Sequence, residues 1–372
     1  LDPAGDLRTQ ICGTLDPAVP RSDRGRFKGI VRTNQPREYG DDMSSLTQSN
    51  GIQSLRRAAV RGSLAASVHN TQPWTFVVGT HALEIHADPK RRLSILDPAG
   101  RQMIISCGCA LFNVRVSLAA NGYRSAVERF PDPGRPDVLA RLTIVHDPSA
   151  AASDLAALNP LIDLRRTNRR RFAEDAVPED LVSELVSVAG IEGAQLVPVT
   201  RAEDRVVVSV LSQRADAQEN ADPAYRAELR AWTTDDARRG DGVPALAVPH
   251  GGVGAHDDVP IRDFDTSGTG SLPTETRSSL NQCLLLLGTD ADTPAAWLRT
   301  GEALERLLLE VTRHGYSASP MTQIIEVPNT RALLRTELRL KMQPQILLRI
   351  GRAPATPATR RRRLVEVLVE SA

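Results

Sequence analysis

Two helical stretches of this chain match each other at one constant lag. Residues 101–123 (RQMIISCGCALFNVRVSLAANGY) and 294–316 (PAAWLRTGEALERLLLEVTRHGY) pair Gly108 with Gly301, Ala110 with Ala303 and Leu111 with Leu304. The same lag of 193 residues pairs Val116 with Leu309, Leu118 with Val311, Gly122 with Gly315 and Tyr123 with Tyr316, and sets Asp97 against Asp290. Apolar positions at helical spacing match easily by chance; two glycines and a shared Gly-Tyr ending do not. The period is far too long for a solenoid. It fits two fused copies of one domain, doing the work of a dimer within one chain.

The remaining segments can be placed around these two helices. Residues 1–47 carry Pro, Gly, Arg and Asp without sustained period, so they are expected to be a disordered extension. Residues 48–150 form a first repeat: a helix to about residue 67, strands at WTFVVG and LEIHAD, the helix at 101–123, and a strand at 139–147. LDPAGR supplies an Asp-Pro entry for that helix, with Gly122 just past its end. Residues 160–372 form the second repeat, with helices at 178–190, 205–218 and 294–314 and strands at AQLVPVT, CLLLLG and PQILLRIG. Residues 217–280 are polar, with Gly and Pro clusters, and read as an irregular insertion: a lid, a binding loop or disorder. The fold class is therefore α+β in two tandem repeats.

Composition excludes several functions. The net charge of the 372-residue chain is +1, so no global field draws it to nucleic acid or an anionic membrane. No run approaches the length of a membrane span, and no apolar leader opens the chain, so the expected location is the cytoplasm. Lysine occurs only at positions 28, 90 and 341, and none follows a suitable glycine-rich turn, which rules out a P-loop. Cys107 and Cys109 lack the partners of a tetrahedral metal site and read as small helix residues. GGVGAH (251–256) follows no strand and opens no helix. No G-x-S-x-G elbow exists, and His69, His250 and His256 form no His-x-x-x-His pair.

Two motifs carry the chemistry. SVHNTQPW (67–74) packs a histidine, two amides, a proline and a tryptophan into a helix-to-strand junction. It is either an ordinary turn, with Asn70 capping and Pro73 fixing φ, or a surface whose amides meet a planar ligand edge. RRTNRRRF (165–172) is either a solvated charge run or a clamp in which guanidinium forks grip phosphate. The run Arg360 to Arg363 is a weaker signal of the same kind.

Together these stretches resemble the nitroreductase family of flavoproteins, and within it the fused two-repeat Acg-type nitroreductase-like proteins of mycobacteria. SVHNTQPW is similar to the family's P-S-x-x-N-x-Q-P-W turn, with Ala66 in place of the proline. RRTNRRRF followed by VPEDLVSEL resembles its R-R-S-x-R-x-F block and the next helix. SASPMTQIIEVP resembles the loop against the flavin ring, and PQILLRIGRAPATPATRRRRLVEVL its closing strand and basic tail. The resemblance covers about residues 50–372.

The resemblance implies a nitroreductase-like pseudo-dimer whose sheets are mainly antiparallel and flanked by helices, with residues 217–280 as a lid-like insertion. It implies FMN as cofactor, NAD(P)H as electron donor and a small-molecule acceptor, with the alternative that FMN is held and barely turned over. Arg165, Arg166 and Arg169 would hold the phosphate, with Arg360 and Arg363 helping. Ser67, Asn70 and Gln72 would contact the ring and ribityl chain, while Thr322 and the Gln323 backbone face the flavin N5. The first repeat keeps the turn and the second keeps the arginine block, so one complete site per chain and a monomer are expected.

Overall fold

The computed structural model describes residues 39–169, 172–244, 247–248, 259–260, 262, 264 and 282–371. Its contacts divide the chain into two units, Leu1–Asp42 and Met43–Ala372. Of the first, only the start of helix α1 is described. The elements are α1 (Tyr39–Gly62), β1 (Trp74–Val78), β2 (Ala82–Ala87), α2 (Arg101–Ala120), β3 (Tyr123–Arg129), β4 (Val138–His146), α3 (Asp154–Ala157), α4 (Leu161–Leu164), α5 (Glu179–Ile191) and β5 (Gln195–Pro198). Then follow α6 (Ala202–Ala221), α7 (Pro223–Trp232), β6 (Cys283–Thr289), α8 (Pro294–Arg313), β7 (Ser317–Met321), α9 (Gln323–Glu326), α10 (Pro328–Glu337), β8 (Gln343–Gly351), α11 (Leu364–Val367) and β9 (Leu368–Glu370).

The strands make two sheets with the same order. One runs β9-β1-β2-β4-β3 and the other β5-β6-β8-β7. Setting β1 with β5, β2 with β6, β4 with β8 and β3 with β7 superimposes the orders, which suits a tandem repeat. Every neighbouring pair is antiparallel except β1 with β9. That added strand comes from the end of the second half and extends the sheet of the first. The β1–β2 connection is a short hairpin, whereas β5–β6 carries α6, α7 and the whole insertion.

Helices α2 and α8 pack against each other between the sheets, in one hydrophobic core drawn from both halves. Gly108 and Gly301 let their backbones touch. A Cβ on Gly108 would lie 2.2 Å from the Leu298 carbonyl oxygen, and one on Gly301 2.0 Å from that of Ile105. Ile105 and Leu298 stand at the 193-residue lag themselves. The contact thus maps onto itself when the helices are exchanged, as at a two-fold interface. By length and composition α2 alone among the described residues could cross a membrane, but 83% of its apolar window is buried inside the protein.

Three expectations about boundaries need correction. The stretch expected to be disordered reaches to residue 47, but α1 begins at Tyr39; residues 1–38 lie outside the description. Helix α2 starts at Arg101 rather than at the Asp-Pro pair, after Gly100 in a left-handed conformation. Asp97 still serves the helix, its carboxylate accepting from the Met103 N–H at 2.9 Å. Residues 217–232 are helical, as the end of α6 and then α7, whose N-cap Asp222 accepts from the Ala224 N–H with Pro223 behind it. Much of 245–281, including GGVGAH and His250, lies outside the described residues.

Candidate functional site

The turn between α1 and β1 is held in an unusual shape. His69, Asn70 and Gln72 all have positive φ, at 45°, 55° and 49°. Side chains with a Cβ populate this region sparsely, so surrounding contacts must enforce it. The Ser67 hydroxyl accepts from the Gln72 N–H at 3.1 Å, and the Ser106 hydroxyl accepts from the Val68 N–H at 3.1 Å.

Two of the turn's amides are consumed by the protein. Asn70 Nδ2 donates to the Gly242 and Arg360 carbonyls at 2.9 and 3.1 Å, and its Oδ1 accepts from Arg361 at 3.1 Å. Gln72 is fully buried; its Nε2 donates to the Gly240 carbonyl at 2.8 Å and its Oε1 accepts from the Arg362 N–H at 2.9 Å. The turn is therefore where the insertion and the C-terminal tail are fastened. Gly240 is required there, because a Cβ would lie 2.5 Å from the Arg361 carbonyl oxygen.

Residues 165–169 run alongside the start of β7, with the Asn168 N–H donating to the Ala318 carbonyl at 2.9 Å. This brings the arginine block next to the turn and to the loop after β7. Two adjoining pockets result. The first spans about 810 Å³, part of it open to solvent, and is walled by Ile105, Leu304, Ile346, Pro320 and Met321, with Ser67, His69, Gln102, Thr322 and Gln323 on its polar side. The second, about 710 Å³, is lined by Arg165, Arg166, Arg169 and Arg361. Ala66, Ser67, Thr167 and Arg169 line both.

The second pocket is short of negative charge. Its one lining acid, Asp163, is already paired with Arg61 at 2.6 Å. Arg165 lies 3.4 Å from Glu305, a buried carboxylate that also accepts from the Ala66 N–H and from Asn113. Burial pushes Arg361 down to about 9, with further lowering from Arg165 and help from Glu305 only in the opposite direction. Burial, then Arg165 and Arg262, push Arg169 down to about 10. A guanidinium lowered this far is one that desolvation and like charge have left undercompensated.

Of the residues expected from sequence, the structure brings Ser67, Arg165, Arg166, Arg169, Thr322 and Gln323 to the two pockets. Asn70 reaches only the edge of the arginine pocket, and Gln72 reaches neither. Arg360 donates to the Asp236 carbonyl and Arg363 to Glu366 at the surface, so both are placed away from the pockets. Arg361, between them, lines the arginine pocket. Arg262 of the insertion, absent from the sequence expectations, lines the first pocket. It is bound to Glu326 at 2.6 Å, Thr322 at 3.3 Å and the Tyr225 hydroxyl, with Glu219 at 3.7 Å. Cys109 also lines that pocket, its thiol pushed well up by burial.

Fold and site together define a class: a two-sheet α+β protein in which an arginine pocket adjoins an apolar-walled chamber, both lined from the two halves of one chain. No family model matches the sequence. Relatives do. A Mycobacterium tuberculosis (strain H37Rv) protein named "Putative NAD(P)H nitroreductase Rv3131" is 35% identical over 324 residues, 85% of this chain and 90% of its own. The "Putative NAD(P)H nitroreductase acg" of the same strain is 31% identical over 320 residues, 84% of this chain and 94% of its own. The chain belongs to this Acg-type nitroreductase-like family. Among solved structures, the FMN-dependent nitroreductase NfnB of Mycobacterium smegmatis, in complex with NADPH, is 18% identical with a TM-score of 0.35, covering 59% of this chain and all of that one.

Proposed function

We propose that this chain is an FMN-dependent NAD(P)H oxidoreductase of nitroreductase type, a cytoplasmic monomer passing electrons to a small-molecule acceptor. The observation that carries it is the convergence of Arg165, Arg166, Arg169 and Arg361 on one pocket whose single acid is already paired. A phosphate dianion supplies the missing charge, and guanidinium forks match its oxygens. The adjoining chamber has the apolar walls a flat ring system needs. The residues present therefore fit FMN, phosphate among the arginines and ring in the chamber.

Bound FMN would supply two-electron chemistry between a nicotinamide and an acceptor. The chain's own residues bind, orient and screen. Arg169, lining both pockets, carries positive charge into the ring chamber, where it would favour an anionic reduced ring. Ser67 lies on the same border. Thr322 and Gln323 stand at the start of α9, where their own N–H groups have no partner within the helix, whereas those of Ile325 and Glu326 donate to the Thr322 carbonyl. No side chain need act as a nucleophile.

One FMN per chain follows from an internal duplication. Where the first half has the long turn, the second has only Glu192-Gly193-Ala194 between α5 and β5. Cys109 of the chamber corresponds, at the 193-residue lag, to Glu302. Glu302 is fully buried and accepts from Arg129 at 2.7 and 2.9 Å and from Arg115 at 2.8 Å, while Arg115 and Arg306 also reach Glu192. The mirror position is thus filled by ion pairs.

The test is the flavin absorbance of the purified 40.4 kDa chain. One FMN per chain is expected, and two would overturn the assignment. Arg361→Ala should weaken FMN binding about ten- to a hundredfold, the worth of a charge-assisted hydrogen bond, with unchanged circular dichroism. Undiminished affinity would sink the phosphate clamp.

A second reading is that FMN is stored. It is favoured by the buried cluster of Arg262, Glu326, Glu219 and Tyr225, which ties the insertion across the chamber. Stopped-flow reduction by NADPH separates the two: a rate no faster than for free FMN means storage.

A further inference from the structure

Beside α10 lies a second concentration of arginine, outside the two pockets that fit FMN. A groove of about 1020 Å³, open to solvent, is lined by Arg101, Arg331, Arg335 and Arg339, with Pro328 and Leu340 among its walls and no acidic side chain. It shares no lining residue with either of the other two pockets.

Arg331, Arg335 and Arg339 recur at intervals of four, and like charges at that spacing destabilise a helix. No acid stands three or four residues from Arg331 or Arg335 to offset them. Arg331 is paired elsewhere, with Asp292 at 2.7 and 2.9 Å. That carboxylate also accepts from Trp297 at 2.6 Å and from Gln345 at 3.2 Å, and Arg101 comes only within 3.9 Å of it. Arg335 and Arg339 are exposed and have no hydrogen-bond or ion-pair partner among the described residues.

Two of the four arginines stand where helix chemistry opposes them. Arg101 is the first residue of α2, the end at which the dipole disfavours a cation. Burial and then Arg331 lower its pKa, against the pull of Asp292. Arg339 ends α10 in a left-handed conformation, φ 51°, its N–H donating to the Thr336 carbonyl at 3.1 Å and the Leu340 N–H to that of Arg335 at 2.9 Å. Glycine usually takes this place, as Gly122, Gly193 and Gly315 do after α2, α5 and α8. The α10 dipole accounts for a cation at Arg335, but not for Arg101 from another helix.

Four arginines less the one matched by Asp292 leave three positive charges. A monophosphate carries about two negative charges at most, and a diphosphate carries more. The groove is walled, and a net charge of +1 gives the chain no field to gather nucleic acid. We propose that this groove is a second anion site, binding the diphosphate of a small molecule through Arg101, Arg335 and Arg339. The site does not depend on the flavin reading.

Inorganic pyrophosphate is titrated calorimetrically into the full chain, with FMN in excess to fill the other arginine pocket. Salt is held at about 0.15 M, where weak surface pairing is screened. One saturable site is expected. Arg335→Gln combined with Arg339→Gln should raise its Kd about tenfold or more without lowering the melting temperature, since both side chains are exposed. Neither residue lines the other arginine pocket, so the variant tells the two sites apart even if the chain takes no FMN. Either single substitution serves if the double one does not fold. An unchanged Kd, no saturable heat in the wild type, or inorganic phosphate binding as tightly as pyrophosphate would each overturn the proposal. So would a single-stranded oligonucleotide that binds the wild type more tightly than pyrophosphate and loses that affinity in the variant; the groove would then be a nucleic-acid surface.

Discussion

Gly301 shows how little tolerance a single residue can have. Its missing Cβ would lie 2.0 Å from the Ile105 oxygen and 2.7 Å from the Gly108 Cα, both backbone atoms that cannot rotate aside. Gly301→Ala must therefore push α8 off α2, at a cost of roughly 3 kcal/mol, the upper range for overpacking a core. Urea unfolding checks this; a loss below about 1 kcal/mol would mean the helices part freely. The two glycines were legible in the sequence because close helix approach leaves a glycine at each partner. The roles of Asn70 and Gln72 were not. Their side chains look like ligand contacts until Gly240, Gly242 and Arg360–Arg362 come into place, and those partners lie far along the chain. His69 was passed over because it was read for metal-binding spacing; only burial reveals that its nitrogens lack partners.

At the scale of elements, one dipeptide has two outcomes in the same chain. Asp97-Pro98 suggested a helix start that lies further on, while Asp222-Pro223 begins α7 inside a stretch read as irregular. A local signal states what a segment can do; packing decides whether it does so. Helix α7 is kept because Tyr225 and Leu229 are buried against Leu93 and Leu96. The same region yields a pH-dependent prediction. Burial raises the Glu219 carboxyl to about 8, with Glu326 adding to the rise and Arg262 opposing it. In the unfolded chain an ordinary glutamate titrates near 4.3. The protonated form thus favours the folded state, fully so below the unfolded pKa, and this contribution is lost as pH rises through about 8. Glu219→Gln, neutral at every pH, should flatten the decline in melting temperature between pH 6 and pH 9. An unchanged slope would show that Glu219 is not the titrating group.

For the molecule as a whole, the two sheets share an order and the two central helices share a contact, yet the halves differ where a ligand could sit. The first half offers an eleven-residue connection carrying Ser67 and His69; the second has only Glu192-Gly193-Ala194 in the same place. At the 193-residue lag the place of Cys109, which lines the chamber, falls to Glu302. Glu302 and its arginines occupy that place, and a buried carboxylate there is tolerable only because Arg129 grips it with two nitrogens and Arg115 with a third bond. Removing the carboxylate leaves the charge of Arg129 unmatched, and Arg115 keeps only Glu192. Glu302→Ala should then cost about 3 kcal/mol of stability, as expected when one member of a buried pair is lost. FMN content should stay at one per chain, because the arginine pocket and the long turn lie on the other side of the two-fold relation. Urea unfolding and flavin absorbance on the same sample measure both. Stability within about 0.5 kcal/mol of wild type would mean that Glu302 fills space without holding the halves together.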